Sequence, residues 1–210
     1  MKRQWIVAGE RVGLTAPERE EFMSRWDRYN DPALAMLLTA PTSAPRPTSS
    51  RPPVTQDHRE AMWKLAVSGD LRPFEIRTVE DGRVLGECSL SRITWPRASA
   101  DIAVAIFDPE DRGTGYGTEA TVLLVAYGFD GLGLHRVTLR YLATNEAVVA
   151  AVDRTAEAMG GRIVGIEHES EWAYGGWQDT ILLEVCAGNF PPHPATAELR
   201  EAPARLELQG

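Results

Sequence analysis

The stretch Arg112-Gly113-Thr114-Gly115-Tyr116-Gly117 decides how the rest of the chain is read. Three glycines alternate at the mouth of a helix whose Ala120, Leu123, Leu124 and Tyr127 recur on one face. Glycine lets a backbone take left-handed angles and approach a ligand closely. Free N–H groups at a helix N-terminus attract a phosphate, helped by the helix dipole, and Arg112 adds a cation beside them. The chemistry implied is phosphate binding, and Gly113, Thr114, Tyr116 and Thr118 belong to the cradle with Arg112, Gly115 and Gly117.

Three phosphate-binding patterns compete for this stretch. The Walker A pattern requires a lysine after its second glycine, and no lysine lies nearby. The dinucleotide pattern can be laid on Gly115-Tyr116-Gly117-Thr118-Glu119-Ala120, with Arg140 as a reader of a 2′-phosphate. A dinucleotide fold, however, runs its strand straight into the first glycine, whereas Asp108-Pro109-Glu110-Asp111 intervenes here. The third pattern, Arg/Gln-x-x-Gly-x-Gly/Ala after a strand, fits at Arg112, Gly115 and Gly117.

The segments before the loop read as a short strand near 10–15, a helix over Glu18–Tyr29 and a second over 33–38 capped by Asp31. Residues 40–54 hold five prolines and read as a loop. A helix over 56–68 follows, with Met62, Leu65 and Ala66 on its inner face. Strands over 74–79, 84–93 and 101–107 form a meander whose first turn carries Asp81-Gly82. After the glycine loop come a helix over 118–129, a strand over 136–142, a helix over 146–159 and strands over 162–167 and 179–186. One β-α-β crossover among meandering strands predicts an α+β fold with a central mixed, mostly antiparallel sheet flanked by helices. Residues 1–186 read as a single domain and 187–210 as a polar tail.

The chain has 210 residues and a net charge of −8, which argues against nucleic acid as a partner. No apolar run reaches the length of a bilayer-spanning helix and the N-terminus does not read as a signal peptide, so the expected location is the cytoplasm, with no membrane partner. Cys88 and Cys186 read as reduced strand residues, and no Cys/His spacing suits a metal. The free strand edges expected at the ends of the sheet leave room for a homodimer.

The glycine segment in this context resembles the acyl-CoA signature of the GNAT superfamily. The chain is similar to the branch typified by ribosomal-protein N-terminal acetyltransferases, in order, from residue 10 to about 186. The matching residues are Arg11-Val12-Gly13-Leu14, Asn30-Asp31-Pro32, Asp81-Gly82-Arg83-Val84-Leu85-Gly86, Gly117-Thr118-Glu119-Ala120, Gly133-Leu134-His135-Arg136-Val137, Asn145 and Gly175-Gly176-Trp177-Gln178-Asp179. The chain departs from that branch with Val148 where a serine is usual, with about four extra residues, one helical turn, between Asn145 and Gly160, and with Gly161 where phenylalanine is usual.

The resemblance implies a GNAT acyl-CoA N-acyltransferase fold and transfer of an acetyl group from acetyl-CoA to a primary amine of a small molecule or a peptide, without a metal. It implies that backbone N–H groups around Ala105, Ile106 and Phe107 meet the thioester carbonyl, and that Asn145 bonds the pantetheine arm. Asp101, in the position of the branch's acidic strand residue, is the first candidate for the base, and Glu87 on the neighbouring strand is the second. Tyr141 and Tyr174 are candidates for protonating the leaving thiolate. Trp95, Trp172 and Trp177, read as turn residues, and the stretch 40–54 are where acceptor specificity is expected. Two other classes stay open: an acyl-CoA-binding module without catalysis, favoured by Val148 and Gly161, and a dinucleotide-dependent oxidoreductase.

Overall fold

The computed structural model describes residues 4–31, 34, 54–144, 149, 152, 155–173 and 176–201. Among these residues the strands are β1 (Val7–Ala8), β2 (Val12–Thr15), β3 (Leu71–Thr78), β4 (Val84–Thr94), β5 (Ser99–Ile106), β6 (Arg136–Leu142), β7 (Arg162–Ala173) and β8 (Gly176–Cys186). They form one sheet in the order β1-β2-β3-β4-β5-β6-β8-β7. Every neighbouring pair is antiparallel except β5–β6. The parallel pair follows from the connection: helix α3 (Tyr116–Asp130) carries the chain back across the sheet between them. The mixed, mostly antiparallel α+β architecture expected from the sequence is therefore the one observed.

Helix α3 covers one face. Ala120, Leu123, Leu124 and Val125 are wholly buried against Leu14, Ile76, Leu90, Ile102 and Val137, which makes this the main core. Residues 187–201, expected as a tail, lie against the far end of α3. Phe190 packs edge-on to Phe129 at 5.4 Å, Thr196 is buried, and both Thr196 Oγ1 and the Arg200 guanidinium donate to Asp130.

Helices α1 (Arg19–Ser24) and α2 (Gln56–Ser68), with the 3-10 turn Trp26–Asn30 between, cover β3 and β4 on the other face. The helix expected through Tyr29 gives way to this tighter turn after Ser24, which brings Arg25 and Tyr29 onto the same carboxylate, that of Glu87. The inner face of α2 also differs from expectation. Leu65 is 49% exposed, while Arg59 is fully buried. Asn30 marks where the chain leaves and returns: its side chain donates to Val54 O at 2.8 Å and accepts from Val54 N at 2.7 Å.

This second interface is built on charge. Arg59 donates to both Glu87 oxygens, at 3.0 and 2.8 Å, and to Phe22 O at the end of α1. Its guanidinium lies 3.5 Å from the Phe22 ring centre. Glu75, next to Glu87 across the β3–β4 pair, receives Arg25 at 2.6 Å and Arg77 at 2.8 Å. Two buried carboxylates thus meet three arginines, and removing Glu87 would leave the fully buried Arg59 without its carboxylate partner, at a cost of about 3–5 kcal/mol.

The hairpin β7–β8 runs longer than the sequence suggests, because Trp172 and Trp177 stand opposite each other on paired strands with their rings 5.5 Å apart. They are strand residues, not turn residues. No helix among the described residues is long and apolar enough to cross a membrane.

Two predictions follow from this packing. A Cβ placed on Gly86 would meet Ala105 O at 1.9 Å, so β4 and β5 approach there only because residue 86 is glycine. Gly86→Ala should lower stability by about 1–3 kcal/mol, measured as a reduced denaturant midpoint; an unchanged midpoint would contradict the need for glycine there. The second concerns pH. Burial pushes the Glu75 carboxyl up, but the hydrogen bonds and charges of Arg25 and Arg77 outweigh it and hold the carboxyl below its ordinary value. A depressed folded pKa adds stability that is present above the unfolded value, about 4.3, and is lost as pH falls through the folded one. Unfolding free energy should therefore decline below about pH 4.3, and decline less steeply in Glu75→Gln. Equal slopes in the two proteins would contradict the assignment.

Candidate functional site

The site begins where β5 and β6 part. Their parallel pairing runs from Ser99–Arg136 to Ile102–Leu139 and stops there, although both strands continue. Among the described residues, β5 from residue 103 onward is paired only with β4. Phe107 N–H bonds Leu85 O at 2.9 Å. By the two-residue alternation of an antiparallel ladder, Ala105 also turns its N–H toward β4, while Val104 and Ile106 turn theirs into the opening. Ile106 O, on that same edge, accepts from Arg112 Nε at 3.0 Å. Of the three residues expected to present amides, only Ile106 is so oriented. Ala105 and Phe107 face the ladder instead, and Val104, which the sequence reading missed, faces the opening.

The loop after β5 is braced on its outer side. A 3-10 turn, Pro109–Asp111, is held by a bidentate pair from Arg83 to Asp111 at 2.7 and 2.9 Å, which also holds the Asp111 carboxyl below its ordinary value. Thr114 Oγ1 donates to Asp111 O at 2.7 Å. Gly113 and Gly115 then take φ of +74° and +97°, a conformation that an L side chain resists. Helix α3 starts at Tyr116 with no side-chain cap on Gly115. Among the described residues, no acceptor serves the backbone N–H groups of Gly113 through Thr118.

The space in front of these amides admits a phosphate group of the size found in coenzyme A. A Cβ at Gly113 would meet nothing within 4 Å, and one at Gly117 would meet only Ile106 Cγ1 at 3.5 Å, an ordinary contact. Packing within the chain therefore does not demand glycine at 117. A row of unserved amides at the head of a fifteen-residue helix, with open space before it, fits an anionic group of that size. Arg112 does not face this space. Its guanidinium donates to Ile106 O and Phe107 O and lies 3.8 Å from Asp31, so the cation expected beside the phosphate fastens the end of β5 instead.

The two sides of the opening carry different residues. Tyr141, two positions beyond Leu139 on β6, points to the α3 side and is buried with Ala156 and Leu183. Asp101 points to the opposite side, on one face of β5 with Ala103 and Ala105. It stands one pair before the strands part, in ion-pair contact with Arg92 and 3.9 Å from Arg140 Nε. Arg140 continues to Glu167 on β7, so Asp101 belongs to a row of alternating charges across the open face.

Glu87 is not a surface strand residue, nor a free base. It is buried, bound by Arg59 on both oxygens, and receives the Tyr29 hydroxyl at 2.8 Å. With its lone pairs engaged by fixed donors it has no route to an incoming proton, which corrects the second base assignment. Cys88 is no nucleophile either, since burial and the Glu87 charge push its thiol pKa up. Asn145, Tyr174, Val148 and residues 40–53 lie outside the described residues. Glu119 had no assigned role in the sequence reading. Its Oε1 accepts from Arg11 N at 2.9 Å and Val12 N at 3.3 Å, tying the head of α3 to β2. The only sequence signal for this was its place in the Gly117-Thr118-Glu119-Ala120 match.

Known proteins share parts of this sequence and the fold. The chain is similar to a probable N-acetyltransferase, YjcK, of Bacillus subtilis (strain 168), with 30% identity over 112 residues. That alignment covers 53% of this chain and spans 60% of the length of that relative. Its fold is similar to spermidine N-acetyltransferase from Vibrio cholerae, solved with CoA and spermine, with a TM-score of 0.70 at 18% identity over 85% of this chain and 96% of that one. It is also similar to Mycobacterium smegmatis RimJ, solved with CoA-disulfide, with a TM-score of 0.68 at 20% identity over 92% and 89% of the two chains. The acetyltransferase (GNAT) domain family matches residues 11–155, well over half of the sequence, and the protein belongs to that family.

Proposed function

We propose that the protein transfers an acetyl group from acetyl-CoA to a primary amine. The observation that carries this reading is the pairing of two features: unserved amides from Gly113 to Thr118, and a strand edge opened beyond Ile102–Leu139. The first suits a pyrophosphate and the second an extended arm lying along β5, where it would restore the missing backbone partners.

Acetyl-CoA supplies the thioester carbonyl that the amine attacks. The N–H groups of Val104 and Ile106 orient the carbonyl oxygen and favour negative charge there. Asp101 takes the proton released by the acceptor nitrogen, directly or through one water. Tyr141, on the α3 side, gives a proton to the departing sulfur. Acceptor and leaving group thereby use opposite sides of the sheet, which keeps the two proton transfers apart. Asn145 and the segment 40–53 are assigned to the pantetheine arm and the acceptor by family resemblance.

The acceptor is best read as a monoamine or a peptide N-terminus. An α-amine, with pKa of about 8, is partly neutral near neutral pH, whereas an alkyl amine of about 10.4 is mostly charged. A polyamine such as spermidine, the acceptor named for the V. cholerae enzyme, carries further cations that need carboxylates of their own, and Asp101 and Glu167 are already paired with Arg92 and Arg140. The β7 edge, where Ile163, Val164 and Ile166 are half-exposed, supports the expected homodimer.

The test is release of free thiol from acetyl-CoA with a panel of amines. A peptide with a free N-terminus should turn over faster than spermidine, and Asp101→Asn should lower kcat by about 10²–10⁴-fold with little change in CoA affinity. Tight CoA binding without turnover on any amine would sink the enzymatic reading and favour a binding module.

A further inference from the structure

The guanidinium beside the glycines is not the one inside the motif. Arg112 is turned to Ile106 O and Phe107 O. Arg11, immediately before β2, reaches the loop from 103 residues away in sequence and donates from Nη1 to Thr114 O at 2.8 Å. Its guanidinium carbon lies over the Tyr116 ring, 4.2 Å from the centre, and Nη1 is 3.4 Å from where a Cβ on Gly115 would stand. The Arg11 backbone is fixed independently: N–H to Glu119 Oε1 at 2.9 Å, and O from Val79 N at 2.9 Å. The residue is exposed, so its remaining N–H groups are open to solvent.

We propose that Arg11 is a positioning residue for the cofactor pyrophosphate, acting through the Thr114–Gly115 peptide. The inference rests on the reading of the glycine loop as the phosphate cradle. In a trans peptide the carbonyl and the following N–H point in opposite directions, and the described chain has no cis peptide. Holding Thr114 O against Arg11 therefore turns the Gly115 N–H away from β2 and toward the space before α3. Thr114 Oγ1, tied to Asp111 O, fixes the other side of the same residue. Arg11 also sets a full positive charge behind a row of N–H dipoles, where it favours an anion without needing to touch it. The ring of Tyr116 holds the guanidinium in place as a cation–π partner.

A brace that served only the fold would behave differently from one that serves the phosphate. The full-length chain, without acceptor, is titrated calorimetrically with CoA and with dephospho-CoA, which share the pyrophosphate and differ at the 3′-phosphate. Loss of a charge-assisted hydrogen bond predicts that Arg11→Gln weakens both ligands about tenfold, and that Arg11→Lys, which keeps charge and stem, recovers most of the affinity for both. Circular dichroism of the free variants checks folding, and where Arg11→Gln does not fold, Arg11→Lys decides by a shared loss of about threefold. Unchanged affinity for both ligands overturns the role of Arg11. So does a loss confined to CoA, which would make Arg11 a reader of the 3′-phosphate. Wild-type protein that binds neither ligand overturns the cradle reading itself and Arg11 with it.

Discussion

The structure depends on β5 being a strand with two kinds of partner. Up to Ile102 it is hydrogen-bonded on both edges; beyond that residue one edge has no strand partner among the described residues. Buried backbone groups rarely stay unserved, so such an edge invites an extended ligand. Every neighbouring feature follows from keeping that edge straight while leaving it open. Gly86 lets β4 press close on the paired side, Arg112 fastens the strand end by its carbonyls, and the crossover through α3 lands its amide-bearing head just past the opening.

The two faces of the sheet solve different problems. Under α3 the contact is apolar and close-packed, which fixes the helix axis and so the direction of its dipole. Under α1 and α2 it is ionic: Arg25, Arg59 and Arg77 hold Glu75 and Glu87 in a set whose geometry admits no slippage. Tyr29 extends this set to Phe107 with a ring contact at 5.9 Å, and Arg28 reaches Asp108 at 2.8 Å. The turn Trp26–Asn30 is thereby fastened to the end of β5. A buried ionic set gives less stability than apolar packing of the same volume would, and losing one partner is costly.

The glycine turn, the crossover helix and the β3–β4–β5 meander were legible in the sequence because each is local: alternating glycines, a periodic helix, a turn with Asp81-Gly82. What escaped was long-range pairing. Glu87 reads as an ordinary polar strand residue until Arg59, 28 residues earlier, is brought onto it. Arg59 looks like a surface residue of a mixed helix. Arg112 was given to the phosphate on its position in the motif, but its side chain follows the carbonyls nearest to it. Which of Val104 to Phe107 offers its N–H to the opening is decided by register, and composition holds no trace of register.

The most direct test of the account is amide hydrogen exchange, resolved by residue, on the free protein and on the protein saturated with CoA. The account predicts fast exchange at Gly113 to Thr118, Val104 and Ile106 in the free chain, and marked slowing at those positions on binding. CoA that binds while these amides exchange as fast as before, with protection appearing elsewhere, would contradict it.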